Sequence, residues 1–187
     1  MDTAALASSN PGNVCRMETW DAIRARRNVR RYEDRPIPPE HLERILEAAW
    51  RTPSSMNEQP WDFVVCTDRE ALRQLGETWR YARHVGGSVA TIVLVAPQPT
   101  DQDSRDWIFY DMGQATMQMM LAAADLGIGS SHAALDDQAL ARQVLGIPED
   151  RFCVGLVAFG YPAGRPLRPI ERPDRRPMDQ LVHREHW

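Results

Sequence analysis

RDWIFYDMGQATMQMMLAAADLG, residues 105–127, is the longest helical stretch in the chain, and the architecture can be read outward from it. In its second half Ala115, Met117, Met119, Met120, Leu121, Ala122, Ala123 and Ala124 leave almost no polar face. A helix that is apolar all round has to be covered all round. Asp106, Asp111, Gln114, Gln118 and Asp125 argue against a bilayer as the cover. In a chain of 187 residues, enough for one sizeable core, a partner subunit is the natural alternative. Gly127 supplies the residue that closes the helix.

The apolar run TIVLVA, Thr91 to Ala96, reads as a strand buried on both faces and hence central, with layers above and below it. Trp61 to Thr67 reads as a second strand, followed by a short helix capped by Asp68 and carrying Leu72 and Leu75. Phe152 to Phe159 is a third, preceded by a helix that Asp136 or Asp137 caps and Gly146 ends. Upstream, helical character begins at Glu18, with Trp20 and Ile23 one turn apart. A second helix opens at Pro39, buries Leu42, Ile45, Leu46 and Ala49 at helical spacing, and stops at Pro53. Strands alternating with helices predict an α/β or α+β layered fold. From Gly160 to Trp187 five prolines and no periodicity predict an extended arm, of the kind that wraps a partner. Residues 1–16 lack the charged and apolar regions of a secretory signal and are expected to be a disordered leader, leaving 17–187 as a single domain.

A formal net charge of -4 excludes a general basic field for nucleic acid or anionic membranes. All 22 basic residues are arginine, which removes lysine chemistry such as Schiff bases and P-loops. Cys15, Cys66 and Cys153 form no CxxC pair and read as reduced thiols of a cytoplasmic protein. The motifs GxGxxG, GxxxxGK, HExxH and GxSxG are absent. His183 and His186 have no third ligand nearby and read as solvated, so no metal site is expected.

Three clusters stand out. RRNVRRY, residues 26–32, follows a helix and carries the guanidinium groups suited to bidentate phosphate recognition, although pairing with Glu18, Asp21, Glu33 and Asp34 is the simpler reading of such a run alone. PSSMNEQPW, residues 53–61, packs hydroxyls and amides where donors can converge on a heteroaromatic edge. Arg175 and Arg176 in the arm, preceded by Arg172, could close a phosphate clamp from the far end of the chain.

Together with YDMGQATMQMMLAAADLGIGSS and RRPMDQLVH, these stretches make the chain from about Glu18 to its end resemble the nitroreductase-like FMN-dependent oxidoreductases. The resemblance implies an α-β-α sandwich that dimerises through its long central helix and exchanges terminal arms, with FMN in two interfacial clefts. It implies that Arg26, Arg27, Asn28 and Arg30 hold the phosphate and pyrimidine side, with Arg175 or Arg176 completing the phosphate site. Pro53, Ser54, Ser55 and Asn57 would reach the isoalloxazine of the other protomer. A turn formed by Ser131, His132, Ala133 and Ala134 would present N–H groups toward flavin N5. The implied activity is transfer from NADH or NADPH to a small acceptor such as a nitroaromatic, quinone or enone, by a ping-pong cycle. A flavin-binding protein without turnover is the alternative. This chain departs from the family pattern in having Asn28 where serine is frequent, Met119 where asparagine is frequent, and Ala133-Ala134 where some members have Glu-Gly.

Overall fold

The chain folds around Ala90–Pro97 (β2), buried from Ala90 to Ala96 as its continuous apolar run predicts. The computed structural model describes residues 17–187; the expected leader, residues 1–16, lies outside them. β2 pairs antiparallel with Asp62–Cys66 (β1) on one side and Arg151–Gly160 (β4) on the other, and Gly129–Ala133 (β3) pairs antiparallel with β4. The order is β1-β2-β4-β3.

Alternation along the strands sends neighbouring side chains to opposite faces. Ile92, Leu94, Val157 and Phe159 meet Pro39–Trp50 (α2) and Gln102–Asp125 (α4) through Ile45, Ala49, Met112, Met119 and Met120. Val93, Val95, Leu156 and Ala158 meet Arg69–Leu75 (α3), the turn Arg83–Gly87 and Gln138–Leu145 (α5) through Leu72, Leu75, Val85 and Ala141. The result is the expected three-layer α-β-α arrangement. Each fully buried Leu contributes roughly 2 kcal/mol to it.

α4 starts at Gln102, three residues before its apolar period. Asp101 accepts from the Ser104 N–H, and the Ser104 hydroxyl accepts from the Asp101 N–H in return. Its end closes on Gly127 at φ 71, with Gly127 N–H donating to Ala124 O and Ile128 N–H to Ala123 O. Thr19–Ala25 (α1) packs on the C-terminal half of α4 through a cluster of Ala25, Val29, Ala124 and Leu167. Asp125 fastens this corner, accepting from Met17 N–H at 2.7 Å and Arg44 at 2.6 Å.

Two expectations are corrected. Ser131, His132 and Ala133 lie in a strand, β3, and not in a turn; its polar composition hid it, and it forms because β4 supplies a full ladder for it. The arm is also anchored at its start: Leu167 is buried against α1 and α4, and Arg24 pairs with Glu171 at 2.7 Å. The all-round apolar character of α4 is only partly absorbed by this chain, since Trp107, Tyr110 and Met117 remain exposed.

Candidate functional site

The arginine run is held extended along the β3 edge of the sheet. Val29 N–H donates to Ser130 O at 2.9 Å, Ala163 N–H to Arg31 O at 3.0 Å, and Glu33 N–H to Tyr161 O at 2.8 Å. Two glycines seat it: a Cβ on Gly129 would lie 2.7 Å from Val29, and one on Gly160 would lie 2.8 Å from Tyr32. Only the absence of a side chain allows backbone to approach that closely. Burial pushes the Tyr32 phenol pKa up, and its hydroxyl donates to Val29 O at 2.6 Å. With Val29 and Tyr32 turned inward, Asn28 and Arg30 face out.

Three adjoining cavities surround this run. One of about 470 Å³, between α4 and the sheet, is lined by Arg26, Asn28, Met117, His132 and Ala134. A second of about 210 Å³ is lined by Arg27, Arg30, Arg31, Gly164 and Arg165, and no acidic residue reaches it. A third of about 510 Å³ is lined by Arg30, Trp79, Tyr81, His84, His132 and Ala134. Asn28 is common to the first two, Arg30 to the second and third, and His132 to the first and third, so they form one trough. Its volume suits a cofactor-sized ligand. At the apolar end a β-bulge matters: Leu94 pairs with Gly155 and Val95 with Cys153, leaving Val154 as the extra residue, and both Val154 and Gly155 line the first cavity.

The electrostatics favour an anion at the other end. Burial, then the nearby Arg165 guanidinium, lowers the pKa of Arg27, whose side chain donates to the Arg165 carbonyl. A dianionic group between the two cations would relieve their repulsion. In the third cavity burial, followed by the Arg30 guanidinium and His132, lowers the pKa of the His84 imidazole; the Tyr81 and Ser131 carbonyls oppose this. Those carbonyls act by proximity, for His84 Nε2 is buried without a well-formed hydrogen bond. Above about pH 6.5 His84 is neutral folded or unfolded. As pH falls through the interval down to its folded value, the unfolded chain takes the proton first and stability is lost. The unfolding midpoint of wild type is therefore expected to fall more steeply below pH ~6.5 than that of His84→Gln. Superimposable profiles would remove His84 from this account.

The other predicted residues lie apart. Pro53, Ser54, Ser55 and Asn57 sit on a loop after α2, where Ser55 borders a separate cavity of about 640 Å³ with Trp107 and Asp111. Met56, Asn57 and Gln59 hold φ of 50°, 59° and 52°. Such conformations cost of order 1–3 kcal/mol each in non-glycine residues and cluster at ligand clamps. Arg175 and Arg176 are exposed, donating to Asp174 O and Gln180 O, and it is Arg165 that stands across from the arginine run. Trp79 and Tyr81, aromatics in a segment that the sequence marks as able to roof a planar ligand, do line the third cavity, whereas sequence reasoning missed His84, which no local motif marks.

Comparisons with known proteins bear on the family and the fold. The family model described as Nitroreductase family matches residues 23–85 and 78–161. A protein of Archaeoglobus fulgidus with the working name NADH dehydrogenase/NAD(P)H nitroreductase is 36% identical, over 91% of this chain and 99% of its own. The NADH dehydrogenase of Thermus thermophilus is 32% identical, over 83% of this chain and 94% of its own. The FMN-dependent nitroreductase of Clostridium difficile R20291 shares the fold, with a TM-score of 0.75 at 23% identity over 89% of this chain and 98% of that one.

Proposed function

We infer that this chain, which belongs to the nitroreductase family of NAD(P)H oxidoreductases, binds FMN in the trough around Arg26–Arg30 and serves as a reductase of small organic acceptors. The observation that carries the reading is the acid-free cavity between Arg27, Arg30, Arg31 and Arg165, suited to a phosphate, opening onto a larger and mostly apolar cavity suited to a planar ring. Residues 17–187 form the FMN-binding unit in this reading.

When bound, FMN supplies hydride transfer through its N5, accepting from NADH or NADPH and delivering to a nitroaromatic, quinone or enone in a ping-pong cycle. Arg27 and Arg165 hold the phosphate; Arg175 or Arg176, which lie apart from this cavity within one chain, would reach it from the exchanged arm of a partner. Arg26 and Asn28, 3.4 Å apart, orient the cofactor along the β3 edge. Arg30 places a fixed positive charge where negative charge develops on the polar edge. Along β3 buried Ser131 and Ala133 flank exposed His132, and Ala134 follows the strand, also exposed; His132 and Ala134 line the trough, where their backbone N–H groups would meet the flavin N5 edge. Met117 and Leu156 exclude water from its apolar end. No protein nucleophile is needed, and the two thiols among the described residues are poorly suited to the role: burial pushes that of Cys153 up to about 11 and raises that of Cys66.

The exposed Trp107, Tyr110 and Met117 on α4 support a homodimer, in which Pro53, Ser54, Ser55 and Asn57 meet the flavin of the partner. Among the described residues no helix is long and apolar enough to cross a membrane. The buried, unbridged Cys66 and Cys153 support a cytoplasmic setting.

The deciding measurement is the visible spectrum of the purified protein, repeated anaerobically after NADH and then NADPH. A flavin spectrum that bleaches supports the reductase and identifies its donor. A flavin that stays oxidised with both moves the case to storage or sensing, and failure to take up FMN removes the reading. The phosphate site has its own test. Arg165→Ala is expected to raise the Kd for FMN about tenfold, the worth of a charge-assisted hydrogen bond, while leaving riboflavin binding unchanged. Equal losses for the two ligands would place Arg165 outside the phosphate site.

A further inference from the structure

Of the four non-glycine residues with positive φ among the described residues, three fall in the loop of residues 53–59. Its own hydrogen bonds fix its shape: Asn57 N–H donates to Ser54 O at 3.0 Å, Gln59 N–H to Ser54 Oγ at 2.9 Å, and Gln59 Nε2 to Asn57 O at 3.0 Å. None of these fixes its location. Apolar packing does little to do so, because the loop overhangs the cavity of about 640 Å³ beside Trp107 and Ile108. The hydrogen bond that ties it to the body, among the described residues, runs from Ser55 N–H to Asp111 Oδ2 on α4, at 3.1 Å and across 56 positions of sequence.

We propose that Asp111 is a positioning residue: its buried carboxylate holds the 53–59 loop, through the Ser55 backbone N–H, in the place from which the loop meets FMN. The proposal rests on the FMN reading above. Asp111 is 2% exposed, and its other hydrogen bond is from Gln114 Nε2 at 3.2 Å. No arginine or histidine pairs with it among the described residues. A carboxylate buried against two neutral donors is costly, so helix packing does not explain it. Holding strained backbone does, since such conformations persist only where their surroundings over-determine them. The same turn of α4 lines the trough through Met112 and Gly113, so the carboxylate links the trough wall to the loop.

The bond can be removed from either end. Asp111→Ala removes the acceptor. Ser55→Pro removes the donor, and Ser54, extended at φ -136° and ψ 159°, tolerates a following proline; Ser55→Ala controls for the side chain. In Asp111→Asn the amide oxygen still accepts from Ser55, and Gln114 can turn its own amide to face the new NH2. FMN affinity of the apoprotein, read by flavin fluorescence, is expected to weaken about tenfold in Asp111→Ala, and by a similar factor in Ser55→Pro relative to Ser55→Ala. Asp111→Asn should stay within about threefold of wild type, and combining Asp111→Ala with Ser55→Pro should add little. Amide exchange at Ser55 in apoprotein should quicken in Asp111→Ala and return toward wild type in Asp111→Asn.

Wild-type FMN affinity in Asp111→Ala, or an Asp111→Asn as weak as Asp111→Ala, would overturn the proposal. If Asp111→Ala does not fold, the comparison of Ser55→Pro with Ser55→Ala decides it. If wild type takes up no FMN, the functional reading fails by itself. Ser55 exchange then still reports the tether, and unchanged exchange in Asp111→Ala overturns that too.

Discussion

Arg30→Ala is expected to lose FMN during purification and, once reloaded, to be reduced by NAD(P)H on the order of a hundredfold more slowly than wild type. That factor corresponds to roughly 3 kcal/mol, the worth of one pre-placed donor at a site of developing charge. Arg30 is exposed at the junction of the phosphate cavity with the cavity of Tyr81 and His84. Its guanidinium also helps depress the pKa of the His84 imidazole and lowers that of the Tyr32 phenol against the larger effect of burial. Removing it therefore takes positive potential from the trough without leaving a hole in the core. The unfolding midpoint of the apoprotein should stay near wild type, which separates a functional loss from a folding one. Full FMN occupancy with an unchanged reduction rate would refute the role.

Gly160→Val should be the most damaging of the single changes to stability. A Cβ there would stand 2.8 Å from Tyr32 Cδ1 and 2.9 Å from its Cβ and Cγ, inside any normal contact distance. Valine adds two methyl groups to that clash. Overpacking of this kind costs about 3 kcal/mol, or about 6–12 °C in Tm for a chain of this size. The consequence reaches the site through the backbone. Displacing Tyr32 breaks the Glu33–Tyr161 and Ala163–Arg31 hydrogen bonds that hold the arginine run on the sheet, so flavin affinity should fall with stability. Gly160→Val combined with Tyr32→Ala should recover part of both. A single variant as stable as wild type would show that the run can be displaced at little cost.

Much of the layered frame was legible because its signals are local. TIVLVA announced a strand covered on both faces, and β2, like β4 beside it, has helices on both sides of it. Leu42, Ile45, Leu46 and Ala49 announced the inner face of α2, and Asp137 and Gly146 bracket α5 as predicted. Where local signals compete, boundaries shifted. The capping box at Asp101 drew α4 back to Gln102, and β1 came out as Asp62–Cys66, shorter than the Trp61–Thr67 run.

The site divides along the same line. RRNVRRY could be marked as a phosphate-binding candidate once the other motifs stood beside it, because arginines so close in sequence stay close in space; taken alone the run reads more simply as solvated charge. Arg165 could not, since it meets Arg27 only when Gly129 and Gly160 let the run settle on the sheet, 138 positions away in sequence. His84, Trp79 and Tyr81 join Arg30 for the same reason, and β3 exists as a strand because β4 offers it a ladder. By itself the sequence determined most of the elements, the burial of β2 and the charge of the arginine run, all properties of neighbours along the chain. Which distant groups share a trough, which loop a buried carboxylate must hold, and which glycines must stay bare were decided by tertiary structure alone, because they depend on distances that exist only after the layers have packed.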